Sequence, residues 1–161
     1  MIPSSVTRYR RIKECLEDPT TLVYLHFVAY LAGNLTPFMK LFQKDEPLVH
    51  MLYDKANEVT RSCLRLFLKP EVVDGKGSSE LTAIDCEKSD NWLSSKSLEI
   101  GTGTKRVLSE IPTDKQQTTR LANRKSLKVM GGHMKDHMPV NNTILRDLQC
   151  LHPVVRKEES G

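Results

Sequence analysis

Between Pro19 and Met39 the chain runs for 21 residues without a formal charge, PTTLVYLHFVAYLAGNLTPFM, in a sequence of which 27% is charged. A run this long and apolar has to leave water, either in a bilayer or in a protein core. The preceding RYRRIK resembles the basic flank of a signal anchor. Against a membrane span, His26, Gly33, Asn34, Thr36 and Pro37 put polar groups and a helix breaker into the run. Glu14, Glu17 and Asp18 also put acid where a positive flank belongs. The expectation is a buried helix of a soluble bundle, with no membrane partner.

The periodicity around this run is helical. Val6, Tyr9, Ile12, Cys15 and Leu16 recur at three- and four-residue spacing until Pro19. Leu25, Val28, Leu31, Leu35, Phe38 and Phe42 keep the period, with Pro37 predicting a kink near Asn34–Thr36 or two short helices. Asp45, Glu46 and Pro47 then read as the start of another helix. Its stripe is Leu48, Met51, Leu52, Ala56, Val59, Cys63, Leu66 and Phe67, and its expected role is packing against neighbouring helices.

After residue 69 the period fails. Residues 70–119 carry Gly, Ser and Asp turn signals and three basic against seven acidic side chains up to residue 100. They are expected to form a loop-rich, poorly ordered acidic segment with one short helix or strand, anchored by Leu81, Ile84 and Trp92. Gly101 and Gly103 form a lone GxG, with neither the third glycine of a dinucleotide loop nor the GK[ST] of a phosphate loop. A turn entering a helix accounts for it. From 120 to 153 helical spacing returns, with Leu127, Met130 and Met134 on one face and a final helix capped by Asn141 or Asn142. Ile144, Leu145, Leu148 and Leu151 are expected to point inward there, and residues 154–161 read as a disordered tail. The whole predicts an all-α fold, an irregular bundle of about five to six helices.

Three functional classes can be weighed on residue types alone. His133 and His137, four apart on a helix, could face one metal ion, with Cys150 and His152 as further ligands across Pro139. The glutamate that follows the first histidine in zinc proteases is absent, since Met134 stands there, and there is no CxxC pair. These four are candidate ligands only, and neither a metal nor another cofactor is expected. Cys15, Cys63, Cys86 and Cys150 lie far apart and read as reduced intracellular thiols rather than a disulfide framework. The sequon at Asn141 means little without a secretory signal. Net charge is +4, yet Lys and Arg are mixed with acids rather than gathered in a stripe, so nucleic-acid binding is expected to be weak. No constellation for nucleophilic or paired-carboxylate catalysis stands out, and an enzyme is not expected.

Three segments in order carry a family resemblance. LVYLHFVAYLAGNLTPFMKLFQKDEPLVHMLYDKANEV (Leu22–Val59), LEIGTGTKRVLSEI (Leu98–Ile111) and HMPVNNTILRDLQCLHP (His137–Pro153) resemble the hAT-superfamily transposase-derived proteins, domesticated or decayed elements with BED-finger or SCAN-domain-like relatives. In that family an RNase H-like domain with an Asp-Asp-Glu triad is interrupted by an all-helical insertion, and the matched segments resemble that insertion. No position here matches a catalytic acid of the triad, and His133 and His137 reproduce only the HxxxH half of a BED finger. Gly131-Gly132 departs from the pattern and predicts a bent or frayed helix. The resemblance implies a non-catalytic nuclear or cytoplasmic scaffold that binds a protein partner or a second copy, or weakly binds nucleic acid. The alternatives are an independent helical partner-binding protein and a small structural zinc protein.

Overall fold

Asp18 separates the first two helices. Its carboxylate accepts the Thr20 N–H at 2.9 Å, capping the helix that Pro19 begins, where a missing N–H costs nothing. In the computed structural model, which describes residues 4–151, this places α1 at Ser4–Glu17 and α2 at Pro19–Leu41. The fold is all-α, with eight helices and no strand among the described residues. The tail at 154–161 lies outside them. Pro37 does not divide α2, which runs on as one helix. Asn34 Nδ2 and the Thr36 hydroxyl donate to the Tyr30 and Ala32 carbonyls one turn earlier on the same helix.

α3 (Val49–Arg65) starts two residues later than Pro47 suggests, because Pro47 stays in a turn closed by the Leu48 N–H on the Glu46 carbonyl. The C-terminal part of its predicted stripe is core: Ala56, Val59 and Cys63 are buried, continued by Leu66 and Phe67 beyond the helix, while Leu48, Met51 and Leu52 are half-buried. Leu64, one position off that stripe, is buried too and faces the long helix α7 (Thr113–His137).

Residues 70–119 hold more helix than the one short element expected: α4 (Pro70–Val73), α5 (Ser78–Ala83), a 3-10 turn (Ser89–Asn91), α6 (Thr102–Glu110) and the first turns of α7, with irregular stretches between them. They supply Val73, Leu81, Leu98, Ile100 and Leu108 to the core, each nearly or wholly inaccessible. The first three pieces are four, six and three residues long, too short to display a helical period in sequence. Their anchorage is polar and comes from α3. Arg61 donates to the carbonyls of Val73 (2.7 Å) and Lys76 (2.6 Å), and Tyr53 shares a hydrogen bond with Ser78 (2.7 Å).

The GxG is a packing device. Gly101 adopts φ +81°, and a Cβ on it would meet the Tyr30 ring at 2.6 Å. A Cβ on Gly103 would stand 3.0 Å from His26 Nδ1. The two glycines therefore let α6 enter close against α2, its main neighbour. At the far end Asn142 caps α8 (Thr143–Asp147) by accepting the Leu145 N–H, and a 3-10 turn (Leu148–Leu151) follows. Leu145 and Leu148 are half-buried, but Ile144 and Leu151 face solvent, contrary to the inward orientation expected of them. The final helix is too short to carry one continuous face.

Gly131-Gly132 does not end α7, which continues to His137. A Cβ on Gly131 would lie 2.8 Å from the fully buried Phe67 ring and 3.3 Å from Leu64, whereas one on Gly132 meets nothing within 4 Å. Alanine gains about 1 kcal/mol of helix propensity at either position, but at Gly131 it also overpacks the core, at about 1–3 kcal/mol. Urea denaturation should therefore show Gly132→Ala stabilised by up to about 1 kcal/mol and Gly131→Ala destabilised by about 1 kcal/mol. Equal shifts of the same sign would contradict the close approach at Gly131.

Candidate functional site

His133 and His137 lie on α7 with their rings stacked, centroids 5.3 Å apart, and both are exposed. Met130, Met134 and Met138 are half-buried on the inner side, so the methionines pack and the histidines form the rim. Cys150 is exposed in the last 3-10 turn, and His152 lies outside the described residues. No group of three or more His, Cys, Asp or Glu that could hold a metal ion occurs among the described residues, so His133, His137 and Cys150 are not brought together.

The thiols divide by burial. Cys15 and Cys150 are exposed, while Cys63 and Cys86 are buried. Desolvation pushes Cys63 up to about 11, and it also raises Cys86 despite the nearby Lys135 ammonium, whose Nζ lies 4.0 Å from the sulfur. A nucleophilic cysteine needs the opposite shift. Because folded Cys63 keeps its proton above the ordinary thiol value of 9.0, the unfolded chain binds fewer protons between 9.0 and about 11. Stability should be undiminished by this group below pH 9.0 and fall as pH rises through that window. Cys63→Val should flatten this part of the profile in urea titrations; an unchanged slope would count against the burial argument.

Sequence reading gave no sign of two polar features. On the inner face of α7, Asn123 is fully buried and neither Oδ1 nor Nδ2 has a hydrogen-bond partner. An orphaned buried amide costs about 1–3 kcal/mol. Asn123→Leu, which keeps the branched heavy-atom skeleton and removes both orphaned groups, should raise the thermal midpoint, and a lowered one would mean that the bulkier methyls overpack the site or the amide has a compensating role. On the outer side, Trp92 carries Lys128 4.7 Å and Arg124 5.4 Å from its ring centroid. Arg124 also donates to the Leu93 carbonyl at 2.9 Å, Lys128 pairs with Glu87, and Lys135 donates to the Ile84 carbonyl. These cations tie α7 to the middle block instead of forming a free basic stripe, which weighs against a nucleic-acid surface on this helix.

No family model, curated protein or solved structure matches this chain. The functional reading rests on the surface, and there the charge-free run dominates.

α2 was expected to be buried, and only one side of it is: Val23 and Phe27 enter the core, with Tyr30 and Leu31 packed against it. Only Val23 and Phe27 are buried, and its most apolar 18-residue window is 11% buried. It remains long and apolar enough to cross a membrane by length and composition. Leu22, Tyr24, Leu25, Val28 and Met39 are exposed along its outer side, with Leu25 at 58% and Val28 at 60%. α1, packed on α2 and joined to it by the Thr21 hydroxyl on the Cys15 carbonyl, adds exposed Tyr9, Ile12 and Leu16. These eight lie in the first forty residues, against five other exposed large hydrophobic residues in the rest of the described chain. Beside them a groove of about 400 Å³ runs between α2 and α3, lined by Pro37, Phe38, Leu41, Met51 and Val59 among others. The concentration makes the α1–α2 surface the candidate site, since isolated exposed hydrophobic residues are ordinary but a contiguous patch marks an interaction. Hydrophobicity found the segment; nothing in one sequence says whether a helix has neighbours on all sides.

Proposed function

We propose that this chain is a non-catalytic helical scaffold of the hAT-transposase-derived kind, acting by binding another polypeptide on the outer face of α2. The observation that carries the binding role is the uncharged, exposed side of a 23-residue helix. The three resemblance segments support the family reading. They correspond to α2 with α3, to α6, and to α8, and α2 packs on α6 as α3 packs on α8. A catalytic role has no such support among the described residues: the buried thiols are held protonated and the histidine pair stands on the rim.

A polarity-sensitive dye tests the surface. The native chain should enhance the fluorescence of such a dye, and Leu25→Glu with Val28→Glu should abolish most of that enhancement. Both side chains are more than half exposed, so the thermal midpoint should hold. Enhancement that survives the double substitution would sink the reading, because the dye would then be reporting another surface.

A further inference from the structure

We infer that the occupant of the α1–α2 face is a second copy of this chain, docked antiparallel with α2 against α2 about a two-fold axis. The inference rests on the reading of α2 as a binding face and names its partner. Area is the first argument. Eight large side chains, each more than a third exposed, leave on the order of 100 Å² apiece, which sums to roughly the 800 Å² per partner that a stable interface covers.

The second argument is charge. Over Pro19–Met39 the chain offers no formal charge, so an acidic or basic partner finds nothing to pair with along the helix. Its flanks are mixed in sign: Arg8, Arg10, Arg11 and Lys13 stand with Glu14, Glu17 and Asp18 before it, and Lys40 and Lys44 with Asp45 and Glu46 at its end, so neither end carries a strong surplus of one sign. An antiparallel pair opposes the two helix dipoles. A parallel pair would set like against like. The geometry permits close approach at the centre: Ala29, Ala32 and Gly33 are exposed, and a Cβ on Gly33 would meet nothing within 4 Å. A two-fold arrangement uses the same patch twice, as most homodimers do.

Light scattering on the eluting full chain, at micromolar concentration, tests this. The expected mass is twice 18.3 kDa. Val28→Glu should weaken association by about tenfold or more. Gly33→Leu should do the same by blocking the close approach, while the open space at that position leaves the monomer's melting undiminished. A dimer indifferent to both substitutions would overturn the inference, since it would be built elsewhere. A monomer whose α2 face still binds the dye would overturn self-association alone and leave the partner-binding reading standing. Such a monomer sedimenting with phosphatidylserine vesicles would assign the face to lipid and overturn both the inference and the polypeptide partner. A monomer without face-dependent dye binding would remove both.

Discussion

Phe67 pressed against Gly131 is the contact on which the rest of the structure depends. The ring is wholly buried, and it lies so close to α7 that no side chain larger than hydrogen fits opposite it. This fixes the approach of α7 to α3. The same short stretch also organises the middle of the chain through its backbone. The Leu66 and Phe67 carbonyls accept from Glu99 and Leu93, Lys69 donates to Asn91, and Leu68 bridges Trp92. One four-residue segment past the end of α3 thus holds a helix on its side-chain face and a looped block on its polar edge. Neither arrangement tolerates much movement, since an orphaned buried backbone group costs as much as a lost hydrogen bond.

α2 stands at the other extreme. It meets α6 through two glycines and buries two residues fully. Asp18 bonds to Lys115 at 3.4 Å, an exposed pair worth little in stability. The carboxyl lies below the ordinary range mainly because the Thr20 amide donates to it, with the lysine a lesser cause. Covering a half-exposed leucine contributes about 1 kcal/mol, so the exposed side chains along the outer face of α2 hold unused driving force. The apolar side chains that would secure this helix to its own domain point away from it.

That asymmetry explains what the sequence could and could not disclose. α3 was legible because its stripe is long, regular and buried on one side only, so period and burial agree. The GxG was legible as a turn entering a helix, though not the Tyr30 ring that requires it. α4 and α5 were hidden because a helix of one or two turns has no period to show, and Val73 looks like a stray among glycines and serines, although Leu81 and Ile84, expected as anchors, are buried. Gly131 read as a helix fault because propensity is local, while the compensating ring arrives from a residue 64 positions earlier in the chain. The histidine pair was correctly four apart on one face; the inward direction of the methionines on the same turns made that face the outer one. Buried Asn123 left no trace, since a lone polar residue in a charged helix looks solvated.

The misplacement of α2 has a different cause. Its hydrophobicity was read correctly, and the inference from hydrophobicity to burial holds only when the partner surface belongs to the same chain. Here the domain has spent its apolar area elsewhere. Phe67, Leu64, Leu98, Ile100 and Leu108 fill the interior, which leaves α2 one side to pack and one side to spare. A helix uncharged for 21 residues cannot turn a solvated face outward by rotating, because it has none. Rotation would only exchange Val23 and Phe27 for Leu25 and Val28. Association with another surface is the remaining way for the helix to leave water, and this is why the feature that most constrains the fold also points beyond it.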